Sequence, residues 1–211
     1  MNVRAQPILG LAGKAIRKGT LLATSTWWCY RLKRIGVELG SNVTIIGRPI
    51  VSVYPGSTVT IGSNVVLCSD SRSTALGVSK PVTIRTLAKG ATISIGNDVG
   101  MSGTVICAAK AVRIGTACLF GADVTVADTN FHPIAPSMGR RYAPIPKSEE
   151  TDAIEIGNDV FLGAGSHILK GVAIGDGSVV GAKSLVTRSV PEGSIVAGNP
   201  AAIIGSVGDT R

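Results

Sequence analysis

The stretch IGNDVFLGAGSHILKGVAIGDGSVVGAKSLVTRSV, residues 156–190, decides the fold. Ile156, Leu162, Ile168, Ile174, Val180 and Val186 recur every six residues, and Gly157, Gly163, Gly175 and Gly181 directly follow four of them. Four residues after each anchor stands a small or β-branched residue: Val160, Ser166, Val172, Ser178, Ser184 and Val190. A helical face repeats at about 3.6 residues and an alternating strand at about two, so neither accounts for a period of six. A six-residue unit is also too short for a strand and crossover helix. It suits a short strand plus a sharp turn, with glycine supplying the turn's backbone angles.

The same register extends upstream. It runs through Ile114-Gly115 to Phe120-Gly121 and Val126, through Ile95-Gly96 to Met101 and Cys107, and through Ile61-Gly62 to Leu67. A weaker version passes through Leu39-Gly40, Ile45 and Val51. The seven-residue step from Cys107 to Ile114 predicts one extra residue at a corner. Stacked coils about 4.8 Å apart would place every anchor on an inner axis that admits side chains of Ile or Val size. A chain that is 45% hydrophobic with only three phenylalanines fits such a core. Cys107 and Cys118 read as small buried apolar groups in it. Two stretches break the pattern, residues 68–90 and residues 127–153, and the second is long enough to be where chemistry is sought.

The 211 residues suit one large domain with a short appendage. With 16% charged residues and 27 glycines, the chain is neither a disordered charged tail nor a coiled coil. Its net charge of +8 is concentrated at the N-terminus: Arg4, Lys14, Arg17, Lys18, Arg31, Lys33 and Arg34 precede the first acid, Glu38. The remainder, with 14 basic and 13 acidic residues, is nearly neutral, which argues against a nucleic-acid-binding body. Four cysteines without a C-x-x-C pair suit a reduced, cytoplasmic compartment. No apolar run reaches the roughly 18 residues of a spanning helix. Gly19 to Tyr30 reads as a surface element rather than a signal peptide.

In the second break, Asp128-Thr129-Asn130-Phe131-His132-Pro133 leaves the coil just after the anchor Val126. A histidine near neutral pH can accept a proton from an alcohol attacking a thioester, and a plain loop histidine is the alternative. Asp128 either orients that imidazole or terminates the turn. His167, next to the inward Ser166, is expected to point outward. A zinc site of the γ-carbonic-anhydrase kind needs three histidines, and the chain has two, so no metal is expected.

The hexads, the Phe-His-Pro run and the array beginning Ile156-Gly157-Asn158-Asp159-Val160-Phe161-Leu162-Gly163-Ala164 resemble the hexapeptide-repeat acyltransferases, in particular the galactoside, maltose and capsule-type sugar O-acetyltransferases. The resemblance covers about residues 37–204. It implies an all-β fold, a left-handed parallel β-helix of roughly seven coils, assembled as a homotrimer with active sites at the subunit boundaries. It implies acetyl-CoA as co-substrate, a sugar or polysaccharide precursor as acceptor, and His132 as general base. Carried over by position, the coenzyme contacts are Ala164, Ala182, Thr187 and Arg188. Phe161 stands where relatives often have tryptophan, Met101 to Lys110 lack the Asn and Asp that hold galactosides, and Ala202 replaces a common arginine. These departures bear on the acceptor more than on the acyl transfer. N-acylation of an amino sugar and a non-catalytic carbohydrate-binding scaffold are the alternatives.

The expected organisation is an N-terminal segment 1–36, a β-helix 37–204 with an active-site loop 127–153, and a tail 205–211. The N-terminal segment reads in two compatible ways. It is a short, helical cap over the open end of the solenoid, or residues 1–34 lie on the inner face of an anionic membrane.

Overall fold

The structure, a computed structural model, describes residues 11–135, 139–141 and 143–209, with side chains from Leu22 onward in the N-terminal helix. Residues 1–10, with the expected Arg4 cation, and the side chains of Lys14, Arg17 and Lys18 lie outside the described residues.

From Val37 the chain winds into a three-sided parallel solenoid. Its first face stacks Val37–Leu39, Thr58–Ile61, Thr92–Ile95, Ala111–Ile114, Ile154–Ile156 and Ala173–Ile174. The second stacks Thr44–Ile46, Val66–Cys68, Gly100–Ser102, Leu119–Ala122, Phe161–Leu162 and Val179–Val180, then closes with Ser194–Gly198 and the antiparallel Ala201–Ser206. The third stacks Ile50–Ser52, Thr83–Thr86, Val105–Ala108, Thr125–Ala127, His167–Leu169 and Leu185–Val186. Six complete coils and a partial seventh result, a left-handed parallel β-helix.

Packing explains the hexad. Ile61, Leu67, Ile95, Met101, Ile114, Phe120, Val126, Ile156, Leu162, Ile168, Ile174, Val180 and Val186 are all buried along one axis. The glycine after an anchor sits where two coils touch: a Cβ on Gly96 would lie 2.5 Å from the Gly115 carbonyl oxygen, and one on Gly163 would lie 2.5 Å from the Ala182 nitrogen. Real carbon atoms do not approach so closely, so these corners exclude every other residue.

Two sequence expectations need correction. Cys107 is not an anchor: Ile106 is, fully buried and in register with Ile84 below and Val126 above. The corner after Met101 is one residue shorter than expected, and the matching coil above takes up the difference as a bulge at Gly121, between Phe120 and Ala122. Counted from Ile106, the step to Ile114 is eight residues, so the extra length expected at a corner does lie between Val105–Ala108 and Ala111–Ile114. The first break is also shorter than 68–90. Thr83–Thr86 rejoins the third face with Ile84 fully buried, leaving 69–82 as the loop.

Helix α1, Leu11–Arg34, closes the open end. Its Ser25, Trp28, Cys29 and Leu32 face the first coil, Ser25 and Leu32 being buried. Ser25 Oγ accepts the Ile45 backbone N–H at 2.9 Å, and the Cys29 thiol donates to the Val43 carbonyl at 3.5 Å. The first coil has no coil beneath it, so these side chains satisfy backbone groups that a solenoid end otherwise leaves unpaired. No helix among the described residues is long and apolar enough to cross a membrane.

The corrected register is testable by substitution. Ile106→Asp should fail to accumulate as soluble protein, because an unpaired buried carboxylate costs several kcal/mol or more against a total stability of about 5–15 kcal/mol. Cys107→Ser should stay soluble with a thermal midpoint within a few degrees of the parent. The reverse pattern would restore Cys107 as the anchor.

Candidate functional site

The long arm between Ala127 and Ile154 starts at the corner where the third face meets the first, and Asp128 is its fixed point. The Asp128 side chain is fully buried, and its carboxylate accepts three consecutive backbone amides of the coil below: Ala109 at 2.6 Å, Lys110 at 2.8 Å and Ala111 at 2.7 Å. Burial pushes the Asp128 carboxyl above the ordinary aspartate range, and the three amide donors offset this only in part. Of the two readings for Asp128, turn termination describes these contacts; each is to backbone, and none is to His132.

The arm's return is clamped as well. Asp152 accepts from Lys170 Nζ at 2.6 Å, its carbonyl accepts the Gly171 N–H at 2.9 Å, and Glu150 pairs with Lys110. The Lys170 ammonium and the Glu149 backbone N–H hold the Asp152 carboxyl below its usual range against the opposing effect of its partial desolvation. Both ends of the arm are therefore tied to rigid corners.

His132 lies four residues beyond Asp128 on this arm and is exposed. Its Nδ1 is 3.1 Å from the Arg140 carbonyl oxygen, and the Arg140 guanidinium reaches back to the Ile134 carbonyl, with Nε at 3.1 Å. In the tautomer that carries its proton on Nδ1, this contact is a hydrogen bond to the Arg140 carbonyl and Nε2 is the acceptor nitrogen. Arg140 thus closes a small ring around the histidine, a role its place in a loop of scattered polar residues does not advertise.

The four candidate coenzyme contacts fall into two pairs. Ala164 and Ala182 stack one coil apart at the corner between second and third faces, each following a glycine that admits no side chain. Thr187 and Arg188, both exposed, follow Leu185–Val186 at the opposite edge of the third face. That is the edge from which the His132 arm leaves two coils earlier. The third face itself carries His167, exposed as expected, with Nδ1 3.1 Å from the Gly165 carbonyl oxygen.

One neighbour of this face is absent from the sequence expectations. The loop 69–82 folds against it, with Ser79 donating to the Asp123 carboxylate from N–H at 3.0 Å and from Oγ at 2.6 Å. Lys80 Nζ reaches Thr125 Oγ1 at 3.1 Å, on the strand in register with His167. A single lysine before a proline carries no motif, so nothing local in the sequence places it on this face. The thiols have no part here: burial pushes both Cys107 and Cys118 above the usual thiol range, which suits apolar filling.

Residues 153–188 match the bacterial transferase hexapeptide family (six repeats). The matched segment is the stretch whose anchors Ile156, Leu162, Ile168, Ile174, Val180 and Val186 are buried along the solenoid axis. The chain is 37% identical over 99 residues to a galactoside O-acetyltransferase of Lactococcus lactis, covering 47% of this chain and 45% of that protein. It is likewise 37% identical over 102 residues to the putative lipopolysaccharide biosynthesis O-acetyl transferase WbbJ of Escherichia coli, covering 47% of this chain and 52% of that protein. The chain thus spans about half the length of the curated relatives it matches. Among solved structures, a galactoside acetyltransferase in complex with coenzyme A superposes with a TM-score of 0.56 at 23% identity, over 96% of this chain and 85% of the other. A variant of AntD, an N-acyltransferase from Bacillus cereus in complex with dTDP and coenzyme A, gives 0.60 at 22% identity, over 84% and 88%. At these identities the likeness establishes the fold.

Removing the Asp128 anchor should be costly. Asp128→Ala strands three amides, one or more kcal/mol each, so the denaturation midpoint should fall by an amount equivalent to about 3 kcal/mol or more. Amides 109–111 should exchange faster with deuterium. Because the folded-state pKa of Asp128 is raised, its contribution to stability is fully present below the ordinary aspartate value of about 3.9 and is lost as pH rises through the folded value. Denaturation of parent and variant across that window checks the sign: their difference should narrow with rising pH.

Proposed function

We propose that the protein transfers an acetyl group from acetyl-CoA to a hydroxyl of a sugar or polysaccharide precursor, with His132 as general base. The observation that carries this reading is the His132 geometry, an exposed imidazole whose Nδ1 is engaged by the Arg140 carbonyl so that Nε2 is left to take a proton. O-acylation is favoured over N-acylation by the span of the matches: the two O-acetyltransferases align over 99 and 102 residues, while an N-acetyltransferase of Clostridium perfringens, 53% identical, aligns over 62.

In this mechanism Nε2 of His132 accepts the acceptor hydroxyl proton as the oxygen attacks the thioester carbonyl. A tetrahedral oxyanion forms and is stabilised by a backbone N–H beside the groove. Collapse breaks the carbon–sulfur bond, and the imidazolium returns the proton to the departing thiolate. No covalent enzyme intermediate is needed. Arg140 is a positioning residue, acting through the orientation of the histidine.

For the coenzyme, Ala164 and Ala182 offer a corner without bulk along which a narrow pantetheine arm can lie, and exposed Arg188 suits a phosphate. Because Ala164 and Ala182 lie across the third face from the edge that carries His132, a site shared between neighbouring subunits reconciles them. A homotrimer is the assembly we propose. It is supported by the second face, none of whose eight strands carries a charged residue and on which Leu119, 55% exposed, and Phe161, 41% exposed, stand in register. Contiguous apolar surface of this kind marks an interaction site.

His132→Ala should lower turnover about 10²- to 10⁴-fold while acetyl-CoA affinity, measured by calorimetry, stays near the parent value. Arg140→Ala should lower kcat by a smaller factor at unchanged KM for acetyl-CoA. A His132→Ala enzyme at parental rate would remove this histidine from the reaction.

A further inference from the structure

Helix α1 carries two stripes with the same spacing. Ser25, Trp28, Cys29 and Leu32 form the seated one. Trp27, Tyr30, Arg31 and Arg34 form the other, displaced by two residues and hence by about 200° around the helix. Capping the solenoid uses the first stripe only. The second points away from the solenoid end, and its members are exposed, Trp27 by 50% and Tyr30 by 58%.

A stripe that merely faced water would be polar. Here guanidinium groups lie over aromatic rings instead. Arg31 Cζ is 5.0 Å from the Trp27 ring centroid, Arg34 Cζ is 6.0 Å from that of Tyr30, and Arg34 Nη1 donates to Tyr30 Oη at 3.2 Å. Trp27 packs edge-on against the seated Trp28 at 4.7 Å and 77°, which fixes its ring on the outer surface. The charged side chains described on this helix are Arg31, Lys33 and Arg34, all cationic, and the first 37 residues of the sequence hold seven cations and no carboxylate. Amphipathic rings next to guanidinium groups match the chemistry of a lipid headgroup layer, where the ring body enters the acyl boundary and the cations meet phosphates.

We propose that this outer stripe of α1 is a docking surface for an anionic lipid bilayer, which it meets end-on with the solenoid standing away from the membrane. The occupant is a lipid surface because exposed aromatics are part of the stripe; a polyanion in water would be met by the cations alone. The proposal is independent of the acyl-transfer reading.

The test uses the full chain and vesicles of phosphatidylcholine with and without phosphatidylglycerol. Co-sedimentation with the anionic vesicles should be strong at about 50 mM salt and largely lost at about 500 mM, as the Debye length shortens. Arg31→Gln with Arg34→Gln should weaken partitioning about 30-fold, at about 1 kcal/mol per cation, with an unchanged thermal midpoint. In the Trp28→Phe variant Trp27 is the one remaining tryptophan, and its emission should shift to the blue on adding anionic vesicles. Indifference to anionic vesicles at low salt would overturn the proposal. So would vesicle binding with unshifted Trp27 emission, or binding undiminished by the double arginine variant. Salt-sensitive binding to duplex DNA with no response to vesicles would assign the stripe to a polyanion instead.

Discussion

Parallel stacking at about 4.8 Å per coil is the constraint on which this molecule depends. At that spacing each inward position touches its counterparts above and below, so it must be filled by a side chain of nearly fixed volume. A glycine that follows an anchor, as at Gly96 and Gly163, touches the backbone of the next coil, so it can hold no side chain. Repetition of those two demands makes the hexad, and the hexad makes a rod whose three edges are straight ladders. A residue's height and edge are then fixed by counting.

That rigidity gives an inserted loop its purpose. The arm after Ala127 is irregular in sequence, yet it begins from Asp128, whose carboxylate is locked onto three amides of the coil below, and ends where Glu150 and Asp152 are held by lysines of two different coils. A loop anchored at both ends can present one side chain reproducibly. The internal ring of His132, Arg140 and Ile134 narrows its freedom further and leaves one imidazole nitrogen available. The closed end follows the same logic in reverse: with no coil beneath the first, α1 supplies through Ser25 and Cys29 the partners that a neighbouring strand supplies elsewhere.

The inner axis was legible in the sequence because inward positions tolerate so little variation. From Ile156 to Val186 every anchor lies where the period places it. The error at Cys107 arose where two adjacent positions, Ile106 and Cys107, are both apolar and both buried, so the pattern could not distinguish inward from covered outward. The strand Thr83–Thr86 was hidden because a single coil, restarting after an insertion, shows no period of its own. Of the candidate site residues, His132 is marked by its Phe-His-Pro run, while Ala164 and Ala182 follow from the resemblance by position. Arg140 and Lys80 were not legible. Their positions come from how loops fold onto an edge, through contacts to a carbonyl and a hydroxyl that no local pattern encodes.

The chemistry proposed for this edge asks little of the protein beyond placement: one nitrogen that accepts a proton, a groove without bulk, and an acceptor held between them. The most direct measurement is a mass-spectrometric screen of the intact chain with acetyl-CoA against nucleotide sugars, lipid-linked saccharides and oligosaccharides. The account predicts free coenzyme A and a singly acetylated saccharide appearing together in equal amounts. Neither coenzyme binding nor thioester turnover with any acceptor would contradict it and leave the solenoid as a carbohydrate-binding scaffold.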